Sequence, residues 1–168
     1  MALTEVRKRV AQASYLDCAK TGETAAMELL GTGFRELNEE PSAQVRSKRY
    51  INQKSTSKGI SGYEWQSPFS ADQIRSEKAI AFICEIGERQ RTGADVERDY
   101  IIVDLDQKVG GGATTFSARK IKVAIEVSKF GNEDGEMTCE GNFLGVSDVV
   151  VGTFDTSNKK FTETVIAG

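Results

Sequence analysis

Histidine does not occur in the 168 residues. Its absence removes the commonest general base and the commonest metal-ligating side chain together, and is the strongest argument in the sequence against an enzyme. Cysteine is scarce. Cys18, Cys84 and Cys139 are odd in number, share no CxxC spacing and make no disulfide framework, so they read as buried reduced thiols. No apolar run approaches the roughly 18 residues that a membrane span requires. Residues 1–12 are basic but lack the apolar stretch of a secretory signal. Basic charge is not in excess: 22 Lys and Arg stand against 25 Asp and Glu. That balance argues against a protein built to grip nucleic acid. With one Trp and four Tyr, the chain also offers few aromatics for a sugar-binding face.

What is present suits one soluble globular domain spanning residues 1–168, long enough to bury its own core. Ser70 and Gln73 form a capping box, so the spacing predicts one helix over residues 71–90. Ala79, Ile80, Phe82, Ile83 and Ile86 make its apolar stripe, and Gly87 or Gly93 ends it. After it, the chain reads as strand. Residues 100–105 (YIIVDL) are short and β-branched. Residues 119–129 alternate cleanly, with Ile121, Val123, Ile125 and Val127 on one face and Lys120, Lys122, Glu126 and Ser128 on the other. Residues 131–135 reverse the chain. Met137, Cys139 and Phe143 then alternate with Glu136, Thr138, Glu140 and Asn142, giving a second half-buried strand. A last hairpin joins residues 150–154 to 160–165. The fold class expected is mainly β (α+β), an antiparallel β-sandwich or open barrel with one flanking helix.

Residues 43–62 differ. Gln44, Arg46, Lys48, Arg49, Tyr50, Ile51 and Asn52 leave few apolar side chains on either face, so this extended segment cannot bury itself well in its own chain. It is either a solvated edge hairpin or an arm that gains its burial from a neighbouring subunit. Residues 1–14 read as a basic N-terminal arm with a helical look.

No motif carries catalytic or metal chemistry. The run Gly110-Gly111-Gly112 lacks the Lys-Ser/Thr pair and the helix of a phosphate cradle, and reads as a hairpin tip. Asp104 and Asp106 share one face of a strand without a third partner, and read as a solvated acidic face. Glu133, Asp134 and Glu136 lack the D-x-D-x-D pattern of a calcium loop. Cys18 has no histidine to activate it. Trp65 and Phe69, about Pro68, read as core.

Several segments, in order, resemble the major tail tube proteins of siphophages and related tube-forming particles. They are residues 28–34 (ELLGTGF), 38–44 (NEEPSAQ), 48–52 (KRYIN), 78–87 (KAIAFICEIG) and 91–95 (RTGAD). Residues 99–105 (DYIIVDL), 118–120 (ARK), 135–136, 141–142 and 151–155 (VGTFD) follow. The resemblance starts near Tyr15 and runs almost to the C-terminus. It implies a non-enzymatic, cofactor-free virion subunit, made in the cytoplasm of a bacterial host, that associates with itself. Commonly hexameric rings would stack into a tube, their sheets joined into a β-barrel around the lumen. Double-stranded DNA would pass through without specific binding, and tape measure, tail terminator and baseplate proteins would be the other partners.

On that resemblance, residues 43–62 are the inter-subunit arm. Lys120, Lys122, Glu126, Ser128, Glu136, Thr138, Glu140 and Asn142 are the candidate lumen face, with Lys120 and Lys122 expected to pair with glutamates on the adjacent strand. A conduit should not attract phosphate, and the acidic members suit that requirement. Three alternatives stay open: the inner tube of a contractile tail or tailocin, a non-assembling β-sandwich binding module, and a hydrolase.

Overall fold

The computed structural model describes residues 5–164. Period-two burial dominates the sequence, and the chain answers it with one curled antiparallel sheet, a half-barrel, plus a single α-helix; 53% of it is strand and 11% helix. The strands are β1 (Gln12–Asp17), β2 (Met27–Leu29), β3 (Phe34–Leu37), β4 (Ala43–Lys48), β5 (Ser57–Tyr63) and β6 (Gln66–Asp72). Helix α1 (Lys78–Glu88) precedes β7 (Glu97–Lys108), β8 (Thr115–Glu133), β9 (Glu136–Gly145), β10 (Val150–Asp155) and β11 (Lys160–Glu163). The main sheet runs β2-β1-β7-β8-β9-β6-β3, while β4 and β5 pair only with each other.

The long β8 organises the molecule. One edge pairs with β7 over residues 116–124; the other takes β10 along the first part of β8 and β9 along its second. Its odd-numbered residues Ile121, Val123 and Ile125 pack with Leu16, Tyr100, Ile102, Phe143 and the apolar stripe of α1. Phe69, Phe143 and Tyr100 stack in sequence there, with centroids 4.7 and 5.2 Å apart, and Trp65 joins Tyr100 at 5.7 Å. The other face carries a smaller second core, in which Phe116, Ala118, Ile101, Val103, Tyr15 and Phe154 meet. Burying both faces of β7 and the start of β8 makes this the most secure part of the sheet.

The strand expectations for residues 100–105, 119–129 and 150–154 are met within these elements; the strand expected over residues 160–165 ends at Glu163, residue 165 lying outside the described residues. The reversal near residues 131–135 is a two-residue turn, Asp134-Gly135, with φ 51° and 86°. Both positive angles are what a twisted hairpin needs, and Asp and Gly tolerate them.

The helix expectation is corrected at both ends. Ser70 is not a cap. It lies in β6 opposite Glu140, because Ser67, Phe69 and Ala71 alternate inward and bury against the core. Period two therefore outweighs the capping box, and α1 starts at Lys78 without a side-chain cap. Gly87 does not end it either. A Cβ there would come within 2.6 Å of Val127 and 2.8 Å of Phe130, so the glycine lets the helix lie close on β8. The chain leaves the helix through Gln90, at φ 50°.

The N-terminal reading is also corrected. Residues 1–4 lie outside the described residues. Arg9–Ala11 form one 3-10 turn rather than a longer helix, and residues 12–14 belong to β1, between β2 and β7. Residues 43–62, read as a solvated edge hairpin or an arm, form an antiparallel hairpin of β4 and β5.

Candidate assembly surface

Hairpin β4–β5 is held only at its base, where Glu64 donates its amide to the Ser42 carbonyl at 3.0 Å and Glu40 bridges Gln66. Every residue of β4 is exposed, as is nearly all of β5. Register sorts its side chains into two faces. Val45 stands opposite Ile60, and Ala43 opposite Tyr63, with a bulge at Ser61 between them. Val45, Ile60 and Tyr63 are 61%, 58% and 66% exposed, an apolar stripe with nothing upon it. Arg46 and Lys48 point to the other side, opposite Gly59 and Ser57. Arg49, Tyr50, Ile51 and Asn52 form the exposed tip, where Gln53 accepts the Tyr50 amide at 3.1 Å. Two strands alone are marginally stable in water. An apolar stripe on such a ribbon gains burial only from another surface.

The candidate lumen residues divide. Lys122, Glu126, Glu140 and Asn142 lie on the sheet face turned away from α1, with Glu126 directly opposite Asn142. Ser128 falls in a bulge between Val127 and Lys129 and donates its hydroxyl to the Glu140 carbonyl at 3.2 Å. It therefore leaves the alternation. Lys120 lies over the Phe161 ring at 5.1 Å. Glu136 is exposed at the β8–β9 turn.

Thr138 is contradicted as a lumen residue, being buried, whereas Met137, expected inside, is 57% exposed. The cause is Arg35. It sits at a bulge in β3 and pairs with Asp72 on β6 and Glu133 on β8, so its side chain crosses β9 at the level of Thr138. Met137 lies beyond the end of α1, which no longer covers it. The expected pairing of Lys120 and Lys122 with adjacent glutamates is not formed. Lys122 stands opposite Asp99, and among the described lysines only Lys129 approaches a glutamate, Glu140 at 4.0 Å.

Asp104 and Asp106 are not a bare acidic face. Arg7 straddles them, with Nη2 2.7 Å from Asp104 and 2.8 Å from Asp106, and Nε 2.9 Å from Asp106. The guanidinium holds the Asp106 carboxyl below its usual range, chiefly through the hydrogen bond. A carboxylate with a lowered folded-state pKa stabilises the fold above its ordinary value and loses that contribution as pH falls through the lowered one. Residues 5–11 are therefore expected to stay docked at neutral pH and to loosen below about pH 4. Hydrogen exchange at the Ala11 amide, corrected for intrinsic rates, reads this. Equal protection at pH 6 and pH 3 would contradict it.

The remaining concavities hold no assembled chemistry. A cleft of about 380 Å³ between α1 and the β1–β2 loop is lined by Cys18, Lys20, Glu28, Phe82, Arg91 and Arg98, among others. Arg98 is buried there and fully employed. It donates to the carbonyls of Ala19, Ala94 and Glu97 and to the Thr21 hydroxyl, and lies over Phe82. Burial pushes the Cys18 thiol up to about 12, so it stays protonated at neutral pH. Cys84 and Cys139 are buried free thiols in the main core. Among the described residues, no group of three or more His, Cys, Asp or Glu is arranged to hold a metal ion, and no helix is long and apolar enough to cross a membrane. Comparison of the chain with protein-family models and with curated protein sequences finds no match.

Proposed function

We propose that this protein is a structural subunit that polymerises with itself into the tail tube of a long-tailed bacteriophage, rings stacking into a conduit for the genome. The observation that carries the reading is hairpin β4–β5. It stands off the sheet, exposes an apolar stripe on one face and Arg46 and Lys48 on the other, and pairs with no other strand among the described residues. Such an element is costly to keep unless a neighbour covers it. The half-barrel supports the reading too. Among the described residues, its edge strands β2 and β3 each have one unpaired side, and side-by-side association would let neighbouring sheets continue one another.

On this reading the face carrying Lys122, Glu126, Glu140 and Asn142 is wetted by the lumen. Its mixed charge keeps passing DNA from accumulating the counterion-release affinity that a basic lining would add. The partners are further copies of the chain, then tape measure, terminator and baseplate proteins at the ends of the tube. The inner tube of a contractile tail would use the same surfaces, and a surrounding sheath would distinguish it. Electron microscopy of the concentrated protein tests the proposal: hollow filaments support it, and a stable monomer opposes it.

A further inference from the structure

Two buried thiols lie where α1 crosses the sheet. At one end of the crossing, Ile80 packs beside β6, where a Cβ on Gly33 would come within 2.5 Å of its side chain. Two turns on, Gly87 lies against Val127 and Phe130 of β8. Strand β9 runs between β6 and β8, so the helix passes over β9 between these two residues. Cys84 falls there, one turn after Ile80 and one turn before Gly87, on the same helix face. The matching position on the sheet is Cys139. It stands opposite Ala71 of β6 on one side and Phe130 of β8 on the other, and directly opposed residues share a face. Gly87, having no Cβ, draws the helix close at this end. The two cysteines are 0% and 1% exposed, and their thiols hydrogen-bond to each other.

The two sulfurs are not equivalent. Arg75 bonds to Glu88, one turn beyond Cys84, and to Gln73, which brings its guanidinium near both thiols. The hydrogen bond from Cys139 holds the Cys84 thiol below its ordinary range against the opposing effect of burial, and Arg75 adds to the lowering. The same bond, with burial, pushes the Cys139 thiol up. One sulfur is thus disposed to carry negative charge while its neighbour keeps a proton within reach of it. Cys18 is different. It lies on the β1–β2 side of α1, donates to the Leu16 carbonyl at 3.5 Å, and is held protonated by burial.

We infer that Cys84 and Cys139 are a modification site, a dithiol that hydrogen peroxide converts reversibly into a disulfide tying α1 to β9. The Cys84 thiolate attacks one peroxide oxygen and the O–O bond breaks. Hydroxide leaves, takes up the proton that Cys84 had lost, and Cys84 becomes a sulfenic acid. The Cys139 sulfur then attacks the Cys84 sulfur, and the displaced hydroxide leaves with the Cys139 proton as a second water. Two thiols and one peroxide give one disulfide and two waters. Arg75 is half exposed, and its parting from Glu88 admits a molecule little larger than water. The new bond closes the chain from α1 through β7 and β8 into a loop, which restricts the unfolded chain and so stabilises the fold. None of this depends on the tube reading.

Peptide mapping of the full chain tests the site. The native protein is exposed to excess hydrogen peroxide at neutral pH, the peroxide is removed, and free thiols are alkylated in urea. Unreduced digests should contain the Cys84 and Cys139 peptides joined, lighter by two hydrogens than their sum, with Cys18 alkylated. Melting temperature should rise by roughly 5–10 °C on oxidation and return on treatment with dithiothreitol. Cys18→Ala should behave as wild type. Cys139→Ala should gain no stability from peroxide and should leave a Cys84 sulfenic acid that dimedone traps. Wild-type Cys84 and Cys139 that both stay alkylatable after native exposure, or that join only when peroxide is added in urea, would overturn the inference. Oxidation of Cys18 ahead of Cys84 would overturn it as well.

Discussion

Gly141→Ala is expected to destabilise the fold by roughly 3 kcal/mol or more, which for a domain of this size lowers Tm by roughly 6–12 °C. Gly141 lies opposite Val127, where the bulge at Ser128 draws β8 against β9. A Cβ placed there would come within 1.9 Å of the Glu126 carbonyl oxygen and 3.1 Å of the Phe69 ring. The first contact is with backbone, so no side-chain rotation relieves it. Either the two strands part, breaking ladder hydrogen bonds beside the main core, or the bulge is lost and the register beyond it slips. Gly111→Ala is the matched control. It lies at the β7–β8 tip with open space around its Cβ and no positive φ, and its Tm should stay within about a degree of wild type. Thermal unfolding of the two variants side by side decides the matter. Equal melting temperatures would show that the β8–β9 contact is looser than described.

The second large effect concerns assembly rather than stability. Replacing residues 43–63 by a two-residue Asn-Gly turn should leave a folded protein that forms no tubes. Ser42 and Glu64 are already joined by a hydrogen bond at the arm's base, so a tight hairpin turn can close the gap. The arm adds no strand to the main sheet and no side chain to either of the two core clusters. Its removal should therefore shift Tm by only a few degrees while abolishing filaments. Filaments from the truncated protein would remove the arm from the interface. A truncated chain that fails to fold would show that the arm supports its own subunit.

These two expectations draw on different depths of sequence information. The alternation of Ile121, Val123 and Ile125 was legible because one face of β8 meets a core and the other meets water along that stretch. Asp134-Gly135 was legible because both residues tolerate the positive φ of a tight hairpin. The helix start was not. Ser70 and Gln73 satisfy a local motif, but pairing with β9 and burial of Phe69 and Ala71 contribute more than a cap does, and a capping box carries no knowledge of a strand 70 residues away. The bulge at Ser128 has no local signature, so alternation carried Ser128 onto a face it does not occupy. Thr138 is buried at the level where Arg35, about 100 positions distant, reaches across β9 to Asp72 and Glu133, and Met137 is bare because α1 ends short of it. Arg7 reaching Asp104 and Asp106 is equally non-local.

The arm shows the same limit from another side. Its poor alternation was readable as failure to bury itself. Yet the stripe of Val45, Ile60 and Tyr63 exists only once the two strands are registered, with Ser61 bulged out. Single-strand periodicity misses a face assembled from one or two residues of each strand. The positive charge of the arm, by contrast, is plain in the sequence.

The central claim is that this chain polymerises into a hollow tube. The most direct test is negative-stain electron microscopy of the purified, concentrated protein, with light scattering on the same sample. The account predicts hollow filaments with a regular axial repeat, and scattering that rises with concentration. A monodisperse monomer at every concentration, with hairpin β4–β5 protected from protease in that monomer, would contradict it.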